Sequence, residues 1–348
     1  MKERSSFASY LSLNEVKGWL IIMTNKKPPF SVNERIMTDV IEIAELAGKV
    51  SVTSALSANP TLRRTNRIRT IYSSLAIEQN TLNLEQVTAI LSGKRVLAPP
   101  KDIAEVKNAY EIYDCMNSLN PYSEDHLLKA HGIMMRGLVD ETGEYRSGSA
   151  GVVDNNGNVV HIGTLPRYIP RLVRELLEWT ENSDFHMLIK SCVFHYEFEL
   201  IHPFADGNGR MGRLWHTLLL SKWNPLFAWL PVESLIHDNQ GEYYKAINLS
   251  NINGNSTAFI EFMLYVIKQA LTEVSHSTIT IPKSTVKDNM RWSVISKFLE
   301  THNYIQNSDV QKLLGVSPAT ATRILSSFAK SGQLARIRIE SHWGYKGI

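Results

Sequence analysis

Between Ile201 and Leu214 the chain reads IHPFADGNGRMGRL. A histidine, an aspartate, an asparagine between two glycines and two arginines fall within about a dozen residues. Each type has a chemistry. His202 stands just before the turn, where it can take a proton from an incoming hydroxyl. Gly207-Asn208-Gly209 would open a helix, and backbone N–H groups at a glycine-rich helix N-terminus form an anion site. Arg210 and Arg213, three apart, share one helix face and can clamp further phosphates. Asp206 offers a hard oxygen to magnesium. Together these parts suit magnesium-assisted transfer of part of a nucleotide to a hydroxyl group. Each part alone has an ordinary reading: a tight turn, a hydrogen-bonded histidine, a turn-forming aspartate, a solvated arginine face. Their joint occurrence is harder to explain by structure alone. The order is not that of a Walker loop, because no GxxxxGK[ST] occurs.

Helical patterning supplies the frame that must position this turn. Residues 33–49 place Ile36, Val40, Ile43 and Leu46 at spacings of three and four. Residues 103–119, 125–137 and 170–181 read as further helices, with Pro99-Pro100 separating the first of them from what precedes it. Residues 186–201 are apolar on nearly every side, so a central buried helix is expected to deliver His202. One segment breaks the pattern. Residues 149–163 hold two valine runs around Asp154-Asn155-Asn156-Gly157-Asn158, which is the signature of a β-hairpin; a plain surface hairpin fits equally well.

Residues 275–290 are polar, carry Pro282 and read as a linker. Beyond it come a helix over 291–305, a second over 308–316, a third over 317–332 and an alternating pair of strands over 334–345. That is the order of a winged helix-turn-helix, with Ser308 and Ser317 as expected N-caps. The organisation expected is an N-terminal helical region over 1–110, a catalytic domain over 111–275 and the winged helix-turn-helix over 284–348.

Composition sets bounds. The 348 residues are 43% hydrophobic and 20% charged, with a net charge of +3. That excess is too small to demand nucleic acid as a partner. The two cysteines, Cys115 and Cys192, sit in no CxxC, which argues against a disulfide scaffold or thiolate cage and fits a reducing cytoplasm. The start has a short apolar run, Trp19–Met23, without the long apolar core of a signal peptide. No stretch approaches a membrane span of roughly 20 apolar residues, so no membrane partner is expected.

The turn also resembles a known signature. HPFADGNGRMGR matches in full the His-x-Phe-x-Asp/Glu-Gly-Asn-Gly-Arg-x-x-Arg motif of the Fic family. The resemblance implies a mainly α fold with a β-hairpin flap, and transfer of AMP from ATP to a protein hydroxyl with release of pyrophosphate. By that resemblance His202 is the general base and Asp206 the Mg2+ ligand. Gly207, Asn208 and Gly209 hold the α-phosphate, Arg210 and Arg213 bind the outer phosphates, and Phe204 anchors the loop. Related Doc-type kinases carry a lysine-bearing variant of GNGR, so the match favours AMP transfer. Phosphocholine-transferring members share the motif residues, so another nucleotide-type donor stays open.

The resemblance extends over about residues 33–275. Tyr243, Tyr244 and Asn251 fall in the segment that closes the nucleotide pocket in the family, although core packing would explain either tyrosine. The hairpin occupies the place of the flap, which pairs through its backbone with the target; Gly151, Val152 and Val153 are its candidate residues. Gly143-Glu144-Tyr145-Arg146 resembles the Gly-x-x-Arg lead-in. Ser74 and Glu78 are four apart and share a helix face, which a local hydrogen bond would also explain. Ser74-Leu75-Ala76-Ile77-Glu78 resembles the family's inhibitory helix, whose glutamate pairs with the second motif arginine. Here Gln79 stands where Gly or Asn is usual. The resemblance therefore implies that Glu78 meets Arg213 and restrains the enzyme.

The partners expected are ATP, magnesium and a target protein carrying a Ser, Thr or Tyr hydroxyl. A second copy of the chain in a homodimer, and DNA at the tail through Thr320, Thr322, Arg323, Lys330, Arg336 and Arg338, are further candidates. His126, His131, His186 and His195 lack the spacing of paired metal ligands and read as hydrogen-bonded structural residues. The reading of a different class is a non-catalytic nucleotide sensor acting through the winged helix; an intact His202 and Asp206 favour the enzyme, since a sensor needs no base.

Overall fold

The computed structural model describes residues 27–53, 56, 59–149, 151–153, 159–278, 283–330, 333–339 and 342–347. The expected hairpin turn 154–158 and the apolar run Trp19–Met23 lie outside the described residues. Helices come first: α1 (Glu34–Thr53), α2 (Pro60–Ile77), α3 (Leu84–Leu91), α4 (Pro100–Cys115) and α5 (Glu124–Met134). A two-stranded antiparallel hairpin follows, β1 (Gly151–Val153) with β2 (Val159–Ile162). Then come α6 (Ile169–Asn182), α7 (Met187–Ile201), α8 (Asn208–Trp223), α9 (Val232–Asp238), α10 (Gln240–Asn253) and α11 (Thr257–Thr278). Among the described residues no helix is long and apolar enough to cross a membrane.

Local chemistry explains the boundaries that matter. Asn83 and Gln86 close a capping box at the start of α3. Ser123 accepts from the His126 N–H and caps α5. α6 buries Leu172, Val173, Leu176, Leu177 and Thr180, one stripe of an amphipathic helix. α7 has no polar face: residues 188–198 are all buried. It packs between α6 and α8. Burial of each large apolar side chain there contributes about 1.5–3 kcal/mol, which makes α7 a rigid post for the turn that follows it. α2 packs against α3, α4 and α9 and reaches α8.

Two compact units emerge: residues 60–275, with the chain up to Leu56, and residues 276–348, with 57–59. The boundary expected at 110/111 falls inside α4, and the helices on either side of it belong to the first unit. In the second unit α12 (Lys283–Leu299), α13 (Asn307–Leu314) and α14 (Pro318–Lys330) precede a second antiparallel pair, β3 (Leu334–Ile339) and β4 (His342–Gly347). Ile295, Ile305, Val310, Ile324 and Leu325 are among its buried core residues.

Three expectations about the tail need correction. The stretch read as a linker is helical up to Thr278 and again from Lys283. Polar composition alone does not separate a linker from a helix, and Pro282 lies outside the described residues. The first tail helix stops at Leu299 rather than Ile305, because Ile305 exchanges backbone hydrogen bonds with Tyr345 as an isolated bridge. Gln306, not Ser308, is the N-cap residue of α13, in a reciprocal box with Asp309. Ser317 does cap α14, accepting from the Thr320 N–H.

Candidate active site

α7 ends at Ile201, and His202 turns the chain out of it in the left-handed region, with φ 51° and ψ 61°. A β-carbon in that conformation costs about 1–2 kcal/mol, so the surroundings must hold it. They do so from both sides. The His202 N–H donates to Phe198 O at 3.0 Å. Its carbonyl accepts from Arg146 Nε at 2.7 Å. Next, Phe204 plugs the core with no exposure and stacks on His131, with ring centroids 3.7 Å apart.

The loop is then stapled shut. Asn208 Nδ2 donates to Phe204 O, and the Phe204 N–H donates to Asn208 Oδ1, each at 2.9 Å. The expectation that Asn208 holds the α-phosphate is thereby narrowed to its backbone, because its amide group is engaged with Phe204. His131 locks the other side. The Gly143 N–H donates to its Nδ1 at 3.0 Å, which leaves the proton on Nε2 to donate to Asp206 O at 3.0 Å. Burial lowers its pKa to about 4, so the ring is neutral and its tautomer is set by these partners. Gly207 sits at φ 84°, and a β-carbon there would fall 2.6 Å from Met135 Sδ. Only glycine fits. From Asn208 onward α8 begins, and its first N–H groups, with no partner one turn back, face the end of the loop.

Asp206 Oδ1 accepts from the Gly207 N–H at 2.6 Å and from Arg210 Nη2 at 3.1 Å. The carboxylate stays about half exposed. One exposed carboxylate suits magnesium, which takes one or two protein oxygens and fills its shell with phosphates and water. Among the described residues no group of three or more His, Cys, Asp or Glu gathers into an all-protein metal site.

The two arginines expected to share one phosphate-binding face are each paired, and differently. Arg210, 3% exposed, reaches Glu105 Oε1 at 3.1 Å as well as Asp206. Glu105 in turn accepts from Asn80 Nδ2 at 2.7 Å. Arg213 Nη2 meets Glu78 Oε1 at 2.7 Å, the contact implied by Ser74-x-x-x-Glu78, and it also donates to Ser74 O at 2.9 Å; Nε donates to Ser74 Oγ at 3.1 Å. Burial disfavours the Arg213 cation, but Glu78 together with Tyr243 and Glu199 more than offsets it, and its pKa lies above the usual value. A β-carbon on Gly209 would collide with the Glu78 carboxylate, so the turn and the glutamate are in close contact.

Glu78 lies one residue beyond the end of α2. Gln79 adopts φ 65°, and the Asn80 N–H returns to Leu75 O at 3.1 Å. That is a left-handed helix end, which glycine would fill without a β-carbon penalty. Gln240 ties it from the other side, donating to Ile77 O at 3.2 Å and to Tyr244 Oη at 3.5 Å.

The residues expected around the nucleotide divide. Tyr243 is 2% exposed and its hydroxyl lies 3.2 Å from His195 Nε2, so it is a core residue rather than an open pocket wall. Tyr244 is 45% exposed. Asn251 Oδ1 accepts from Tyr196 Oη at 2.8 Å. In the hairpin, Gly151 pairs with Ile162, Val152 with His161 and Val153 with Val159, with a register shift between Val152 and Val153. The sequence pattern marks no site role for Glu105, His131 or Gln240, and marks Arg146 only as part of a lead-in. In the second unit, Thr322 Oγ1 accepts from Asn307 and donates to Pro318 O, and Thr320 Oγ1 lies 3.0 Å from Ser317 Oγ. Both hydroxyls therefore work within the fold.

Comparison with known proteins identifies the family. The model of the Fic/DOC family matches residues 121–220. A crystal structure of a Fic family protein from Desulfovibrio desulfuricans G20 superimposes with a TM-score of 0.71 at 40% identity, covering 92% of this chain and 98% of that one. Fic-1 from Caenorhabditis elegans shares the fold, with a TM-score of 0.59 at 21% identity over 70% of this chain and 73% of its own. Among curated proteins, protein adenylyltransferase fic-1 of C. elegans is 28% identical over 211 residues, 56% of this chain and 38% of its own length. Protein adenylyltransferase Fic of Nematostella vectensis is 26% identical over 227 residues, 61% of this chain and 49% of its own. The chain thus spans less than half the length of these two relatives.

Proposed function

Because the chain belongs to the Fic family, we propose that it is a protein adenylyltransferase that moves AMP from ATP to a Ser, Thr or Tyr hydroxyl of a target protein, and of itself, under restraint by Glu78. The observation that carries this reading is the Glu78–Arg213 ion pair inside a turn that otherwise holds every part the chemistry needs. In the reaction the target oxygen forms a bond to the α-phosphorus. The bond from that phosphorus to the bridging oxygen breaks, and pyrophosphate leaves with the electron pair. His202 takes the hydroxyl proton. The first N–H groups of α8 receive the charge of the α-phosphate. Magnesium, held by Asp206 when bound, would neutralise charge on the outer phosphates. Tyr244 and Asn251 border the nucleotide in this reading, and the Gly151–Val153 strand holds the target backbone.

The test is incubation with ATP labelled at the α-phosphate, with magnesium. Glu78→Gly should carry label on the protein, and adding His202→Ala should remove it. An unlabelled Glu78→Gly protein that also releases no AMP would sink the reading.

A second reading concerns the tail. Residues 276–348 hold ten Lys and Arg against four Asp and Glu, a charge of +6, which leaves −3 for the first 275 residues of a chain at +3. That asymmetry supports contact with DNA phosphates through Arg323, Arg336 and Arg338. A labelled DNA duplex titrated with the full chain should bind at 50 mM salt and lose most of its affinity at 200 mM. Binding insensitive to salt, or none at 50 mM, would contradict it.

A further inference from the structure

Arg146 is 3% exposed, yet among the described residues it takes part in no ion pair. Among the described residues its side chain donates to backbone carbonyls. Nε donates to His202 O at 2.7 Å, Nη1 to Gly148 O at 2.7 Å and Nη2 to Thr164 O at 2.5 Å. Its own N–H donates to Pro203 O at 3.0 Å. The Thr164 N–H completes the ring by donating to Ile201 O at 3.3 Å.

These carbonyls belong to three places that sequence separates. Gly148 leads into β1, Thr164 follows β2, and His202-Pro203 is the left-handed exit from α7. One planar group therefore binds both feet of the hairpin and the backbone of the base. The choice of arginine is specific, because its fork of donors is fixed in one plane, whereas a lysine ammonium is a point charge without that geometry. A buried cation without a carboxylate is costly unless its donors are all met, and burial does lower its pKa. A neutral side chain could staple one loop. It could not meet three carbonyls at once.

We infer that Arg146 is a positioning residue that fixes His202 and the β-hairpin in one frame, so that a target hydroxyl presented by the hairpin arrives in line with the base. The inference rests on the adenylyltransferase reading for its chemistry, but not for its structural part. The hydrogen bonds of Arg146 go to His202, Gly148 and Thr164, and those of Asp206, Arg210 and Arg213 go elsewhere. Its loss should therefore separate two outcomes of one bound ATP. Transfer to a protein hydroxyl needs the hairpin in register with the base, whereas hydrolysis to AMP by water does not.

Two measurements test it. In the first, Glu78→Gly and Glu78→Gly with Arg146→Lys are given α-labelled ATP and magnesium, and AMP on the protein is compared with free AMP. The ratio should fall on the order of 10-fold to 100-fold in the double variant, the scale of a misplacement of about 1 Å. Affinity for a non-hydrolysable ATP analogue should stay the same. An unchanged ratio would overturn the inference, and a Glu78→Gly protein that neither labels nor releases AMP would instead mark failure of the functional reading. The second measurement needs no variant. In the wild-type chain, native-state hydrogen exchange in rising denaturant should show the amides of Arg146, Thr164 and His202 opening as one unit. Separate openings at the hairpin feet and at His202 would overturn the inference whatever the activity.

Discussion

Arg210 and Arg213 face carboxylates, whereas Arg146, on the other flank of the same turn, faces only backbone carbonyls. The first two cations are the ones that phosphates would approach. Their partners, Glu105, Asp206 and Glu78, are anions that a phosphate can replace or crowd. Arg146 has dipoles for partners, and nothing that ATP brings competes for them. In the proposed reaction the phosphate flank exchanges partners and the base flank keeps them. Within the phosphate flank a second difference shows. Glu105 is almost fully buried against Arg210, while the Glu78 side chain is 30% exposed against Arg213. In the proposed reaction Glu78 is the carboxylate that leaves.

The largest effect expected from this contrast is on the base. His202→Ala should lower transfer on the order of 100-fold to 10,000-fold, the range of general base catalysis, while binding of an ATP analogue is unchanged, since the histidine belongs to the fixed flank. Equal turnover by the variant would end the assignment. Glu105→Ala should come next. It removes a buried partner from a buried arginine, so urea unfolding should show a loss of about 3–5 kcal/mol. Glu78→Ala should cost clearly less, because its carboxylate is partly solvated and Arg213 keeps both contacts to Ser74. If the two variants were equally unstable, the distinction between a fixed and a leaving carboxylate would be broken.

Glu197 sharpens the comparison from the other direction, as a carboxylate in no ion pair among the described residues. It lies on α7, 3% exposed, and its Oε1 has no hydrogen-bond partner. Burial pushes its pKa up to about 8. A raised carboxyl binds its proton more tightly in the folded chain than in the unfolded one. Its contribution to stability is therefore fully present below the unfolded value of 4.5 and is lost as pH rises through about 8. Glu197→Gln should flatten the decline in unfolding free energy between pH 5 and pH 8, which urea melts at several pH values would show. The smallest effect belongs to Gln79. Gln79→Gly relieves a left-handed β-carbon and should stabilise the end of α2 by about 0.5–1 kcal/mol. It should also deepen the restraint on labelling rather than relieve it.

The turn itself was legible in the sequence because its logic is local. A histidine at a helix end, a glycine at φ 84° and a helix that begins at Asn208 all follow from neighbours within a dozen residues. The buried helix α7 was legible for the same reason, and so was the hairpin. Glu105 and Arg146 were not, because their partners are set by packing: Arg210 lies 105 residues from Glu105, and His202 lies 56 from Arg146. Nothing in the local pattern of either residue marks it. Tyr243 shows a third case. Its place in the chain suggested a pocket wall, and the fold turned it inward to His195. In the tail, a polar composition hid the helical stretches that end at Thr278 and begin at Lys283.

The central claim is that Glu78 restrains the site through Arg213, and labelled AMP incorporation by four proteins tests it most directly. Wild type, Glu78→Gly, Arg213→Ala and the double variant are incubated with α-labelled ATP and magnesium, and label on the protein is counted. Freed of Glu78, Arg213 can clamp the outer phosphates and align ATP for attack, and alignment contributes on the order of 7–11 kcal/mol to a bimolecular transfer. Glu78→Gly should therefore label far more strongly than wild type, and the double variant should lose that gain. Equal labelling of wild type and Glu78→Gly would contradict the account and leave the ion pair as scaffolding.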